Sequence, residues 1–593
     1  MMKRLLTGNE AVAQGAYEAG VTYAAAYPGT PSTEILENIA TYNEDIIAEW
    51  APNEKVAMEN AIGASIAGAR ALAAMKMVGV NVAADPLFSF AYAGVNGGMV
   101  LITADDPSLH SSQNEQDNRQ YAKFAKIAML EPSDSQESKD MLKTAMEISE
   151  KFDTPILFRM TTRVCHSKGL VEIGERKEAS KKPYAKNLAK YDLIPAVAKK
   201  LRAELEGRLH KLAVFADETN LNYFEWNDSK IGIISSGVAY QYAKEVFGDK
   251  ASYLKLGFTY PLPAKKIKEF AAKMETLYVI EELEPYLEEQ IRQMGISCSG
   301  KEKIPNMYEL NPDIVAKALL NEEKPLIQYD TSLVVNRPPV LCAGCPHRGF
   351  FYELSKKKNV VMAGDIGCYA LGGAEPLNAK DMCICMGAAP SIGHGAQKVF
   401  DKFHENMRVI STIGDSTFFH TGINSIMNIA YNRSKTITVI LDNRITGMTG
   451  HQDHPGTGFT LQGTPTKALA IEGVVKALGI DYVRTVNPLN LRQVRDALDW
   501  ALALDEPSVI ITRWPCVLKK QSPQDKEEFG AYMATCKVDT DECIGCQMCV
   551  NTGCPALRFD QETEKAAIDP VQCVGCEVCV QLCPAKAAVK VGE

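Results

Sequence analysis

Short apolar runs alternate with helix-spaced amphipathic segments from Gly8 to about Cys165. Val21–Tyr27 predicts a strand ending in Pro28-Gly29-Thr30-Pro31, and Glu34–Tyr42 predicts the helix that follows. The rhythm lapses in the lysine-rich stretch 168–228, resumes at Lys230-Ile231-Gly232-Ile233-Ile234 and runs to about Leu320. A third alternating stretch opens near Pro338 and reaches Trp514, with strands expected at Arg408–Ile413, Thr436–Leu441 and Ser508–Thr512. Such alternation predicts an α/β protein of several doubly wound parallel-sheet domains with helices on both faces.

The end of the chain breaks this rhythm. A polar segment, Lys519–Gly530, leads into a tail in which Cys543, Cys546 and Cys549 recur thirty residues later as Cys573, Cys576 and Cys579. Two similar halves of this size predict a small, duplicated α+β domain.

Length and composition narrow the class. The 593 residues allow about four domains at roughly 150 residues each. The net charge of −9, with no basic stripe, excludes nucleic-acid binding. The most apolar region, Ala57–Thr103, is rich in small residues and broken by Arg70, Lys76 and Asp85, so no membrane span is expected. Met1-Met2-Lys3-Arg4-Leu5-Leu6-Thr7-Gly8 lacks the apolar core of a signal peptide, and a cytoplasmic location is expected. Eight of the seventeen cysteines fall between Cys543 and Cys583. In a large cytoplasmic chain that spacing points to metal or redox centres and not to disulfides.

The two runs read Cys543-x2-Cys546-x2-Cys549-x4-Cys554-Pro555 and Cys573-x2-Cys576-x2-Cys579-x3-Cys583-Pro584. The second fits the bacterial two-cluster ferredoxin pattern, in which the fourth cysteine of each run ligates the other cluster. One 4Fe–4S cluster is therefore expected on Cys543, Cys546, Cys549 and Cys583, the other on Cys573, Cys576, Cys579 and Cys554. Structural zinc, the alternative, prefers two separated cysteine pairs. The extra residue before Cys554 changes the loop, not the ligand count.

Gly414-Asp415-Ser416 directly follows one predicted strand, and Asp442-Asn443 ends the next after twenty-five intervening residues. Adjacent parallel strands would place both at the ligand edge of an open sheet, where carboxylate and amide oxygens can hold a hard Mg²⁺ against a diphosphate. The pattern resembles the thiamine diphosphate motif, Gly-Asp-Gly and, at this distance, Asn-Asn, with Ser416 and Asp442 as departures. By that resemblance Asp415, Asn443 and the Ile445 carbonyl would hold Mg²⁺, with Gly414, Ser416 and Thr449 beside the cofactor. The continuation Asn443-Arg444-Ile445-Thr446-Gly447-Met448-Thr449-Gly450-His451-Gln452 is similar to the corresponding loop of the 2-oxoacid:ferredoxin oxidoreductases.

That family resemblance covers nearly the whole chain, and within the family it is to the alpha subunits of the indolepyruvate branch. Glu54, with Ala57 three and Gly63 nine residues on, matches the glutamate that activates the aminopyrimidine; Glu59, without the alanine, is the reserve. A solvated helix-end glutamate is the plainer reading. Tyr27-Pro28-Gly29-Thr30-Pro31-Ser32 is similar to the turn that brings a threonine, here Thr30, to the substrate; a simple helix cap is the alternative. The resemblance implies a pyrimidine domain at 1–170, a connector at 171–228, a transketolase-C-like domain at 229–325, a diphosphate domain at 335–518 and a ferredoxin-like domain at 535–593.

It also implies oxidative decarboxylation of an arylpyruvate with coenzyme A, electrons leaving through the clusters to ferredoxin. The missing family domain implies a beta subunit of about 200 residues, the size of one domain, in a heterotetramer. A non-oxidative thiamine diphosphate decarboxylase and an electron-transfer subunit with a decayed thiamine site are the rival readings. Pyruvate-specific relatives carry an arginine for the substrate carboxylate where this chain has Leu101-Ile102-Thr103-Ala104-Asp105-Asp106. Arg119 and His110 are candidate substitutes. Finally, Cys342, Cys345, Cys368 and Cys516 resemble the ligands of the family's cofactor-proximal cluster, a third 4Fe–4S centre; four buried thiols are the alternative.

Overall fold

Alanine-rich strands such as Tyr23–Ala26 and Ala71–Lys76 are buried on both faces, which only a sheet covered by helices on two sides allows. In the computed structural model, which describes residues 2–325, 327–335, 337–530 and 535–591, they lie in a seven-stranded sheet. Its order is Phe258–Tyr260, Ala128–Leu130, Ile156–Thr161, Met99–Asp105, Ala71–Lys76, Tyr23–Ala26, Ile47–Trp50. All neighbours run parallel except the first pair. A four-stranded sheet, Thr276–Ile280, Ile231–Ser236, Ser252–Leu256, Asn222–Glu225, belongs to the same compact unit, Met1–Tyr329.

The two sheets share buried charge. Arg119, 1% exposed, donates to Glu281 (2.6 Å) and to the Glu282 carbonyl (2.7 Å), both just beyond the strand Thr276–Ile280. The stretch 171–228, read as a connector, carries a 24-residue helix, Pro195–Glu218, whose Arg208 donates to the Ala91 and Tyr92 carbonyls at 2.8 and 2.7 Å. Its lysines stay outward, which is why the stretch looks irregular in sequence. The strand Lys168–Ile173 pairs antiparallel with Met2–Thr7.

The second unit, Asp330–Glu593, holds a five-stranded parallel sheet in the order Val360–Ala363, Arg408–Gly414, Ile437–Asp442, Ser508–Arg513, Tyr482–Val486. Its strands feed two cores. Ile437, Val439 and Leu441 join Phe350, Val494 and Leu498 on one face, while Ile440, Val509 and Ile511 join Phe418, Ile426 and Val475 on the other. This is the doubly wound α/β fold read from the sequence. The tail adds two antiparallel pairs, Cys536–Val538 with Ala588–Lys590 and Leu557–Asp560 with Lys565–Ile568. Among the described residues no helix is long and apolar enough to cross a membrane.

Candidate functional site

At the carboxyl edge of the seven-stranded sheet, neighbouring strands deliver the residues singled out in the first unit. Glu54 opens the helix Glu54–Ile66, whose start is capped by Asn53 accepting from Val56 N–H at 2.9 Å. Its side chain is 6% exposed and lies against Gly79, where an added Cβ would stand 2.8 Å from Oε1. Gly79 therefore leaves the space that the carboxylate fills. Glu59 pairs with Lys55 on the solvent side of the same helix, its side chain 44% exposed. Thr30 sits in the turn after the adjacent strand, its carbonyl accepting from Ser111 Oγ at 3.2 Å. Neither proposed carboxylate ligand is available: Arg119 is locked to Asp117 and Glu281, and His110 faces Glu309 at 3.3 Å.

In the second unit the strands Arg408–Gly414 and Ile437–Asp442 end at singled-out residues, and Val360–Ala363 and Ser508–Arg513 end shortly before Cys368 and Cys516. Gly414, at the end of Arg408–Gly414, touches the Tyr369 ring, which a Cβ would meet at 2.7 Å. Asp415 starts a helical run to Tyr431 that contains a π turn at Phe418–Gly422, a device common at functional sites. Ser416 donates its N–H to Asp415 Oδ1 at 2.9 Å. His454 Nδ1 accepts from Gly456 N–H at 3.1 Å, and its Nε2 stands 3.1 Å from Asp415 Oδ2. Burial opposes charge on Asp415, yet His454 and the Ser416 N–H hold its pKa below the usual carboxylate value.

Asn443 supplies the most telling contact. Its side-chain oxygen stands 3.3 Å from Asp415 Oδ2 and 2.6 Å from the Ile445 carbonyl. Three acceptor oxygens at such distances need either the amide turned to donate to both or a cation among them. Part of an octahedral oxygen shell has this make-up. Asp442 is committed elsewhere, to Arg513 at 2.6 Å; burial first, then Asp415, raises its pKa. Thr449 closes the loop, donating to Gln452 Oε1 at 2.6 Å.

The cysteines expected from the sequence to carry a third cluster lie near this loop. Cys516 N–H donates to the Asn443 carbonyl at 2.9 Å, and Cys516 Sγ is 3.8 Å from His451 Nε2. A Cβ on Gly447 would lie 3.6 Å from the Asn443 side-chain nitrogen and 3.7 Å from Cys368 Sγ, so one glycine separates the Asn443 amide from the Cys368 thiol. Burial first, with Cys516 and Cys368 adding to it, pushes Cys345 up to about 12, and burial first, with Cys516 and Cys342, pushes Cys368 up to about 11. Among the described residues no three His, Cys, Asp or Glu crowd one point as for a single ion. A four-iron cluster binds each thiolate at a different iron and asks for a wider set.

In the tail, Cys554 of the first run joins Cys573, Cys576 and Cys579 around one cavity, while burial first, and then Cys583 and Cys546, push the Cys549 thiol up. Cys543 and Cys579 are buried in the tail's core. Ala587 and Ala588 N–H groups point at Cys583 Sγ at 3.2 and 3.4 Å. A small cavity is walled by Cys554, Cys573, Cys576 and Cys579 together with Ala343 and Gly344. The tail is thus not a free appendage behind a polar linker. Arg348, 2% exposed, donates to the Thr552 carbonyl (2.7 Å) and the Cys342 carbonyl (3.0 Å), and Gln581 donates to the Leu489 carbonyl at 2.7 Å.

His454, His347, Arg348 and Lys76 escaped the sequence reading. His347 and Arg348 follow directly on Cys345-Pro346, and His454 stands two residues beyond the recognised loop that ends at Gln452; Lys76 adjoins no recognised motif.

Known proteins carry the same parts in the same order. Residues 14–205 match the family model for the thiamine diphosphate-binding region of pyruvate flavodoxin/ferredoxin oxidoreductases, 365–512 the C-terminal TPP-binding domain of thiamine pyrophosphate enzymes, and 525–587 a 4Fe–4S dicluster domain. These define a thiamine pyrophosphate-dependent, iron–sulfur-carrying 2-oxoacid:ferredoxin oxidoreductase. The indolepyruvate oxidoreductase subunit IorA of Archaeoglobus fulgidus is 44% identical over 99% of this chain and 97% of its own. That of Pyrococcus horikoshii is 40% identical over 100% and 97%. The chain belongs to this IorA family, as one subunit of a multi-subunit enzyme.

Proposed function

We propose that this subunit oxidatively decarboxylates arylpyruvates, indolepyruvate foremost, with coenzyme A as acyl acceptor and ferredoxin as electron acceptor. The overall change is 2-oxoacid plus coenzyme A to acyl-coenzyme A, carbon dioxide, one proton and two electrons. The observation that carries the reading is the continuity within the second unit: the oxygens of Asp415, Asn443 and Ile445, then four cysteines, then the tail cavity that the Cys342–Cys345 loop helps to wall. A decarboxylase without redox chemistry has no use for that series, and an electron-transfer subunit has no use for its oxygens.

Bound thiamine diphosphate supplies the carbon nucleophile and electron sink, and 4Fe–4S clusters supply one-electron acceptors. The chain's part is positioning. Asp415, Asn443 and the Ile445 carbonyl would hold Mg²⁺ for the diphosphate, His454 keeping Asp415 ionised and oriented. Glu54, buried and fixed against Gly79, would hold a proton at the aminopyrimidine. Cys342, Cys345, Cys368 and Cys516 would carry the first cluster, and the tail the two further ones. Two electrons need single-electron stations, and short steps between them. The partner is a beta subunit of about 200 residues, one domain in size, in a heterotetramer.

The test is a substrate panel on the anaerobically purified two-subunit enzyme, following ferredoxin reduction and acyl-coenzyme A together. Indolepyruvate is expected to give a kcat/KM at least about ten-fold above pyruvate, which corresponds to about 1.4 kcal/mol of transition-state preference. Equal rates with pyruvate, or product without ferredoxin reduction, would refute the assignment.

A further inference from the structure

A 2-oxoacid brings a carboxylate to the site, and a carboxylate leaving water needs a cationic partner. The basic side chains on the ligand edge of the seven-stranded sheet are nearly all consumed. Arg119 is held by Asp117 and Glu281, Arg159 by Asp105 (2.9 Å) and Glu131 (2.7 Å), and Arg163 by Glu309. Lys76 differs. It ends the strand Ala71–Lys76, between the strands that lead to Thr30 and to Asp106. Its hydrogen bond is to the Ser111 carbonyl at 3.0 Å, and among the described residues no carboxylate lies within ion-pair distance of it.

The surroundings fix this ammonium without neutralising it. Gly29 lies on its stem, where an added Cβ would stand 3.1 Å from the Lys76 Cγ and Cδ. Asp106 accepts from Ser111 N–H (2.8 Å), Ser112 Oγ (2.7 Å) and Thr162 Oγ1 (2.8 Å), and so anchors the loop whose Ser111 carbonyl accepts a hydrogen bond from Lys76. Ser111 Oγ in turn donates to the Thr30 carbonyl, tying that loop to the Thr30 turn. Burial lowers the Lys76 pKa, while Asp106 and Glu54 act to keep the charge. We propose that Lys76 is the carboxylate-binding residue of this enzyme, pairing through its remaining N–H groups with the 2-oxoacid substrate. A lysine offers a point charge where an arginine would offer a two-pronged fork.

The inference rests on the proposed function, in particular on Glu54 and Thr30 marking the reacting edge, and the experiment separates the two. In the two-subunit holoenzyme, Lys76→Met and Lys76→Arg are compared for thiamine diphosphate content, proton exchange at the thiazolium carbon, and steady-state kinetics. Lys76→Met is expected to keep cofactor content and exchange while KM for the arylpyruvate rises about ten- to a hundred-fold, the worth of a charge-assisted hydrogen bond. Lys76→Arg should recover most of it. As a readout on the unmutated enzyme, an arylacetate should compete with substrate at least about ten-fold better than the arylacetamide of the same ring. An unchanged KM in Lys76→Met, loss of cofactor or exchange in step with KM, or equal inhibition by acid and amide would each overturn the role. Unimpaired exchange in Glu54→Gln would instead remove the underlying assignment of the edge.

Discussion

Glu54 and Glu59 share one helix and one charge, and their surroundings separate them: the first is buried behind Asn53 and against Gly79, the second meets Lys55 at the surface. A carboxylate held at low exposure in a fixed rotamer can serve one ligand atom, whereas a surface ion pair contributes little. Glu54→Gln keeps volume and one acceptor but loses the charge. It is expected to retain thiamine diphosphate and to lower decarboxylation by about 10²- to 10⁴-fold, the range of a lost acid–base group. Cofactor content with single-turnover decarboxylation measures this. Full turnover in Glu54→Gln beside an inactive Glu59→Gln would move the role to Glu59.

Among elements, the Cys-x-Gly-Cys loop occurs three times, as Cys342-Ala343-Gly344-Cys345, Cys543-Ile544-Gly545-Cys546 and Cys573-Val574-Gly575-Cys576. The glycines have φ of 69°, 66° and 70°, the left-handed region where a Cβ is strained. Two of these loops meet: an added Cβ at Gly344 would lie 2.1 Å from Val574 Cγ2. Arg348 holds the junction from beneath by its bonds to the Leu341, Cys342 and Thr552 carbonyls. Arg348→Met should therefore leave buried carbonyls unpaired at a cost of about 3 kcal/mol. The expected result is a lowered Tm and loss of tail iron on mild oxidation, read by calorimetry and iron analysis. An unchanged Tm would mean that the junction does not depend on this residue.

At the scale of the whole molecule, the three cysteine sets make an iron count decisive. Under strictly anaerobic preparation the full chain should hold about twelve irons, four per cluster, and Cys516→Ser about eight. Iron and sulfide analysis with low-temperature spectroscopy reads both. About eight irons in the unsubstituted chain would leave Cys342, Cys345, Cys368 and Cys516 as plain thiols. Point substitution is the sound design because Val578 and Leu582 of the tail sit in the same core as Phe350 and Val494. Removing the tail would strip that core.

What the sequence determined by itself is whatever depends on local spacing. The strand–helix rhythm specified doubly wound sheets, and the x2 spacings specified thiol triplets, because three residues on a tight turn can reach one cluster whatever lies elsewhere. The tertiary structure decided the relations between distant segments. It brought Cys368 and Cys516 to the Asn443 loop from different strands and seated the tail on Arg348. It also exhausted Arg119 and, among the described residues, left Lys76 without a carboxylate at ion-pair distance. A charge's partner is fixed by burial and by contacts across more than a hundred residues, as between Arg119 and Glu281, and no local pattern carries that information.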